Sequence, residues 1–429
     1  MAPKAVFQCA MVLLSLLGQA EAQTTAVPVS AFLGSLGVNT HVAQGYDYTK
    51  YVPALKYLAV QEIRDAAGHI SDLESLHQQT GVRIDIFNGG DLQQLLEAGR
   101  TLAAAGALLS FEGPNEPNNF PIIYNGLSGG GLESWFPVAE FQRQLYAGVK
   151  SDPALARYPV FHVSEGGAEI DNVGLQWLTI PTEVGTIMPA GTRFADYANA
   201  HNYVIGTCHR YVDNQAWQAA DPNIGACWDG LLVEFGRTWR GHFRGYSNAQ
   251  LQTIPRVTTE TGWDSVSDPG GEAGQGKMLV NTYLSQYARG WRYTFVYELG
   301  DEEGGGGHQG LFHKDWTPKL AATYIHNLTA ILADTDGQAV VGKLDYSIPD
   351  RPPTVHDLLL QKSDGTLALV VWGEQVQGSS DVTIDLGDTH ARVDIYDVTS
   401  GTLPIRQLSN VRNVALTLSD HAMIVEIMR

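Results

Sequence analysis

Eight times between residues 35 and 297 the chain passes from a short run of Val, Ile, Leu and Phe to a longer stretch, several of them of helical character. The strand-like runs fall at 35–40, 59–64, 83–87, 107–112, 160–164, 197–202, 256–259 and 293–297. Helical patterns such as those at 70–80, 91–105, 135–150 and 276–289 lie between them. Strands that alternate with helices run parallel, because each helix carries the chain back across the sheet. Eight such units in roughly 300 residues match the arithmetic of a (β/α)8 barrel, whereas a doubly wound sheet usually needs fewer. The longer gaps after the fourth, fifth and sixth strands read as loop insertions at the face where barrel strands end.

The rhythm changes near Ala333. From Val340 onward the chain alternates with a period of two at 367–372, 382–386, 392–398, 414–418 and 422–427, with turns such as Ser363-Asp364-Gly365 between. That pattern predicts a small antiparallel β-sandwich, to which residues 26–32 can add a strand. At the other end Lys4, the apolar run from Ala10 to Leu17 and the small-x-small triplet Ala20-Glu21-Ala22 form the pattern of a secretory signal peptide. The run is too short to span a bilayer, and no later segment is long and apolar enough to do so. The expected division is therefore 1–22 signal peptide, 23–332 barrel and 333–429 sandwich, with the mature chain secreted or periplasmic. Of three cysteines, Cys9 leaves with the leader. Cys208 and Cys227 then form either one disulfide or two free buried thiols, and neither has the neighbours of a metal site. A formal net charge of −19 argues against nucleic acid or an anionic membrane surface as partner, since both need a basic patch. Oligomeric state is not readable.

Functional groups of such a barrel cluster where its strands run out. The acids placed there are few: Glu116 after the fourth strand, Glu165 after the fifth, Glu260 ending the seventh and Glu298 after the eighth. The fourth and seventh strands lie across the barrel from each other, so Glu116 and Glu260 can face one another over the mouth. Each taken alone reads as a turn acid or an ion-paired core acid; their joint placement is what points to chemistry. Two facing carboxylates, one protonated and one ionised, are what cleavage of a glycosidic bond requires. Glu112, one turn earlier in FEGPNEPNNF, reads instead as an acid paired with a basic neighbour inside the barrel.

The Asn-Glu-Pro of GPNEPN and the Glu of VTTETGW together resemble the clan A retaining glycoside hydrolases, which are built on this barrel. The resemblance implies Glu116 as acid/base, Glu260 as nucleophile and Asn115 as partner of the sugar 2-hydroxyl. It further implies that Arg64, in EIRDA, steadies the nucleophile's surroundings, and that His201 and Tyr203, in AHNY, match a His-x-Tyr pattern with Tyr203 reaching the nucleophile. The opening LGVNTH is similar to family 39 and its exopolysaccharide-hydrolase relatives, and HQGLFHKDWTPKLAATYIHNL to the closing loop and last helix of such enzymes. One departure is FVYELGDEE, where clan members often carry a Trp; Tyr297 is the expected sugar platform in its place.

Asn39 and His41 after the first strand, Glu165, Glu298 and His308 complete the candidate contacts, with structural hydrogen bonds or salt bridges as their plainer reading. Trp263, Trp228 and Trp316 are candidate stacking platforms, Trp263 foremost because it follows Glu260 closely. GEAGQGKM, 271–278, approaches a phosphate-binding loop but ends in Met where a Mg²⁺-coordinating hydroxyl is needed, and reads as a loop entering a helix. No HExxH, GxSxG or Ca²⁺-loop pattern occurs, and no cofactor or metal is called for. The expected function is a retaining glycoside hydrolase acting on an oligo- or polysaccharide. A non-catalytic carbohydrate-binding protein on a decayed barrel and a transglycosylase with the same carboxylates are the alternatives.

Overall fold

The computed structural model describes residues 23–117, 119–130, 136–164, 193–201, 203–204, 211–220, 255–301, 307–334 and 341–428. The expected leader at 1–22, and Glu165, Cys208, Cys227 and Trp228, lie outside the described residues.

Eight parallel strands form one sheet: β1 (Leu36–Asn39), β2 (Glu62–Ala66), β3 (Arg83–Phe87), β4 (Leu108–Glu112), β5 (Val160–Phe161), β6 (Ala198–Ala200), β7 (Arg256–Thr261) and β8 (Trp291–Val296). They pair in the order β6-β7-β8-β1-β2-β3-β4-β5. A parallel bridge from Phe161 in β5 to Tyr197, just ahead of β6, closes the ring. The helices between strands carry local start and stop signals. Asp47 and Asp91 cap the helices Tyr48–Leu58 and Leu92–Ala105 by accepting backbone N–H bonds from Thr49 and Gln94. Gly81 and Gly106 end Ile70–Thr80 and Leu92–Ala105 in the left-handed conformation. Inside the barrel Leu109, Phe161, Val257 and Phe295, from four different strands, form a small separate core. Nearer the ends of the strands come the charged side chains Asp85, Arg64 and Glu112, all fully or almost fully buried.

The C-terminal region is an antiparallel sheet of β9 (Val355–Gln361), β10 (Leu367–Gly373), β11 (Ser380–Asp397), β12 (Arg406–Leu418) and β13 (Ala422–Ile427), in the order β12-β11-β13-β10-β9. The runs expected at 382–386 and 392–398 are two halves of β11, joined through a register shift between Asp385 and His390. A bulge of this kind bends a strand, and Val382 and Ile384 from the first half share one core with Val393 and Ile395 from the second. The result is sandwich-like. β9, which leads into the Ser363-Asp364-Gly365 turn, adds a strand to those expected from the sequence. Of residues 26–32, only Val27–Pro28 joins the sheet, pairing in parallel with β9, and the chain then turns into the helix Val29–Leu33.

The second face of this sheet packs on the barrel. Leu360, Ala368, Val370, Trp372 and Ile424 belong to the same core as the barrel helices. The helix Gly271–Ala288 is buried over most of its surface, polar residues included, because barrel and sheet cover it from two sides. Asn281 donates to the carbonyls of Gly373 and Asp420, and Asn327, from the helix Leu320–Ile331, to that of Val398. The expected loop at 271–278 is thus a correction: it is the first part of this helix. Its glycines serve close approach, since a Cβ at Gly276 would meet the Ala321 backbone at 3.0 Å and one at Gly274 the Pro269 carbonyl at 2.6 Å.

Candidate active site

The stretch FEGPNEP is shaped by contact with its neighbours. A side chain on Gly113 would meet the Val163 backbone at 2.8 Å and Gln142 at 2.1 Å, so only glycine lets the end of β4 pass there. Two residues on, Asn115 and Glu116 reach the barrel mouth. Glu116 has φ +39, a left-handed conformation that costs a non-glycine residue roughly 1–3 kcal/mol. Its carbonyl accepts from the N–H groups of Asn119 and Phe120, which closes a turn around it. The Asn119 amide also donates to Glu116 Oε2 at 2.9 Å.

Arg64, at the centre of β2, organises the rest. All five guanidinium N–H groups are used. Nε and Nη2 hold Glu112 at 2.6 and 2.9 Å, and Nη2 also reaches Asn115 Oδ1 at 2.7 Å. Nη1 donates to Asn39 Oδ1 at 3.0 Å and to Glu260 Oε1 at 2.7 Å. The ring of Phe87 lies 4.2 Å below the guanidinium carbon. Glu112 is thus paired with a base inside the barrel, and Thr259 Oγ1 donates to it as well. Burial together with the adjacent Glu112 carboxylate holds Asp85 well above the usual acid range. Burial pushes Glu112 itself up, but the charge and hydrogen bonds of Arg64 outweigh that and keep it low.

Between the two candidate catalytic acids stands His201, fully buried. Its Nδ1 is 2.6 Å from Glu116 Oε1 and 3.3 Å from Glu260 Oε2. The Tyr203 hydroxyl donates to Glu260 Oε2 at 2.9 Å. Burial and the charges of Glu260 and Glu116 keep that phenol protonated, so it stays a donor. Burial raises Glu116, yet the hydrogen bond and charge of His201, with Asn119 and Arg64 behind them, bring it below its ordinary value. One oxygen from each carboxylate and a ring nitrogen of His201 lie within 4.8 Å of one another. Those three atoms are also the place where a cation could be held.

These groups open into a cavity of about 350 Å³. Asn39, His41, Arg64, Asn115, Glu116, Tyr203, Glu260 and Tyr297 line it. His41 faces Glu298 with Nδ1 3.1 Å from Oε2, and its ring lies 5.5 Å from that of Tyr297. Glu298 is therefore a buried partner of His41 and does not itself line the cavity. His308 is also away from it: its carbonyl accepts from Lys319 Nζ and Ser265, and its imidazole is half-exposed. Trp263 is a clear correction. It is completely buried, edge-on to Tyr211, with its indole N–H on the Pro269 carbonyl, because the chain after β7 turns directly into the core. Trp316 packs on Tyr51 and Phe312 and lines no part of the cavity. Sequence reasoning missed Thr40, Gln44, Asp65, Phe87, Phe120 and Gln309, which do. Phe87 ends β3 and Asp65 follows Arg64, so the strand-end rule applied to every strand finds both. Asp65 accepts from Thr40 Oγ1 and the N–H of Val42 and Ala43, fixing the loop that presents His41. Gln309 and Phe120 sit in loops and carry no such signal.

No protein-family model matches the chain, and no curated protein does. Solved structures do match its fold. A family 39 glycoside hydrolase from Bacteroides cellulosilyticus WH2 superposes with a TM-score of 0.59 at 15% identity, covering 94% of this chain and 81% of that one. A family 51 arabinofuranosidase from Xanthomonas axonopodis pv. citri gives 0.55 at 13% identity, covering 96% and 98%. A family 30 subfamily 8 xylanase from Clostridium acetobutylicum gives 0.54 at 12%, covering 96% and 98%. The barrel followed by a β-sandwich, expected from the sequence, is the architecture these glycoside hydrolases share with the chain.

Proposed function

We propose that the protein is an exported glycoside hydrolase that cleaves by double displacement. The observation that carries this reading is the spacing of Glu116 and Glu260, with an oxygen of each inside the 4.8 Å span of the site. Retaining enzymes hold their carboxyl groups roughly 5–5.5 Å apart, whereas inverting enzymes leave roughly 6.5–9.5 Å for a water between them. Glu260, fixed by Arg64 and Tyr203, attacks the anomeric carbon. Glu116 delivers a proton to the departing oxygen and then draws one from water to release the sugar. The short Nδ1···Oε1 hydrogen bond makes His201 the immediate neighbour of that proton, and desolvation by a bound sugar favours its residence on Glu116. Asn115, whose Oδ1 is committed to Arg64, turns its amide N–H groups towards the substrate. Export rests on the leader pattern of residues 1–22.

The test is the configuration of the first product. On a glycan found by screening, proton NMR in the first minutes of hydrolysis is expected to show the anomer of the substrate. Accumulation of the opposite anomer overturns double displacement.

A further inference from the structure

Beside the active-site cavity lies an open groove of about 790 Å³, larger than the cavity itself. One wall is the turn after β3, from Asn88 to Gln93, and the other is formed by Pro121, Ile123, Tyr124 and Asn125. Cavity and groove meet along the chain at two points. Phe87 lines the cavity and Asn88 the groove; Phe120 lines the cavity and Pro121 the groove.

The groove is built from fixed parts. Asn88 Oδ1 accepts from the N–H groups of Gly90 and Asp91, which holds the turn. Gly90, at φ +141, is pressed so close to the opposite wall that a Cβ there would meet the Ile123 carbonyl at 2.6 Å. The Tyr124 hydroxyl donates to Gln144 and anchors the hairpin Ile122–Tyr124/Leu127–Gly129 to the helix Phe136–Ser151. Apolar surface is left open on it, Ile123 being 71% exposed, and at its border with the cavity, where Phe120 is 62% exposed.

We infer that this groove holds further sugar units of a neutral glycan whose scissile bond lies at Glu116 and Glu260, so that the substrate is a chain and not a simple monosaccharide glycoside. The inference rests on the reading of the site as a glycosidase. The cavity alone sits at the small end of the roughly 300–1,000 Å³ usual for ligand sites. Asn88 and Gln93 each give one amide N–H to Gln94 and Glu97, so the groove adjoining it offers their second N–H and the Asn125 amide for hydroxyl groups, and apolar side chains for the C–H faces of sugar rings. Among the described residues lining it none is basic, and its single acid, Asp91, is engaged as a helix cap, so nothing there recognises a uronate or sulfate.

Gly89 provides the test, because it lines the groove, has an ordinary φ, and a Cβ on it meets nothing within 4 Å. A Gly89→Trp side chain therefore fills the groove without strain in the backbone, which unfolding curves matching wild type will verify. Cello-, xylo- and β-1,6-gluco-oligosaccharides from disaccharide to hexasaccharide serve as probes, in turnover assays and in calorimetric titrations of Glu260→Gln with and without Gly89→Trp. The expected result is a kcat/KM that rises at least roughly tenfold with chain length and loses that rise in Gly89→Trp. Rates independent of length, or a length dependence that survives Gly89→Trp, overturn the groove. Length-dependent binding abolished by Gly89→Trp, with no turnover of any probe, upholds the groove and overturns hydrolysis instead.

Discussion

Buried acids are handled in two ways in this molecule. At the seam between barrel and sandwich, Glu374 receives hydrogen bonds from Ser285 Oγ, the Trp372 indole and the Trp217 N–H. Asp420 nearby takes Lys277 Nζ at 2.9 Å and the Tyr211 hydroxyl. Glu374 is enclosed by the groups it binds, whereas Asp420 stays partly exposed and is held by its ion pair. At the barrel mouth Glu116 is held by His201 and Asn119 and Glu260 by Arg64 and Tyr203, yet both still line the cavity. Protein surrounds Glu374, whereas the mouth acids open on a cavity. An acid held by donors at the wall of a cavity is a candidate for chemistry, whereas an acid closed in by protein, as Glu374 is, reads as structural.

That contrast makes the first prediction. Glu260→Gln is expected to lower kcat by at least ~10³-fold, about 4 kcal/mol of barrier, while Glu374→Gln leaves kcat within a factor of about two. Comparable losses in both, on matched substrates, break the distinction.

Removing the cations sharpens it. Arg64→Met leaves Glu112 and Glu260 buried without their partner and is expected to destabilise the fold by about 3–5 kcal/mol in denaturant titrations. Lys277 is partly exposed, and Lys277→Met is expected to cost about 1 kcal/mol or less.

Glu374 also responds to pH in the opposite sense to Glu112 and Glu116. Burial pushes Glu374 up to about 7. Between about pH 4.5 and 7 the unfolded chain has given up that proton while the folded one keeps it, so this group's stabilisation falls as pH rises and levels off above about 7. Its share is on the order of 3 kcal/mol. The difference between wild-type and Glu374→Gln unfolding free energies is expected to follow that slope. Glu112 and Glu116, held low, lose stabilisation in the other direction, as pH falls below the ordinary carboxylate range.

The smallest effect concerns His201. It is the chief group holding Glu116 down against burial, so His201→Gln is expected to move the alkaline limb of the kcat/KM profile to higher pH. An unmoved limb separates His201 from the proton on Glu116.

Much of this was legible beforehand, for a local reason. Periodicity is a property of neighbouring residues, and it located β3 and the helix Ile70–Thr80 to the residue. It failed where the reason for a residue lay elsewhere in the chain. The glycines of 271–278 read as loop because their purpose is contact with Ala321 and Pro269. Trp263 read as a sugar platform because proximity to Glu260 in sequence says nothing about which way a side chain turns after a strand ends.

The sequence by itself determined that eight β/α units precede a β-sandwich, and that Glu116 and Glu260 fall at the ends of two strands facing each other. Those facts follow from hydrophobic period and strand count. Only the tertiary structure decided that Arg64 uses all five donors on four residues from β1, β4, the loop after β4, and β7, and that one nitrogen of His201 lies between both acids. These are contacts between residues up to 196 positions apart, set by barrel closure. No local pattern encodes them, because each depends on every strand in between taking its place.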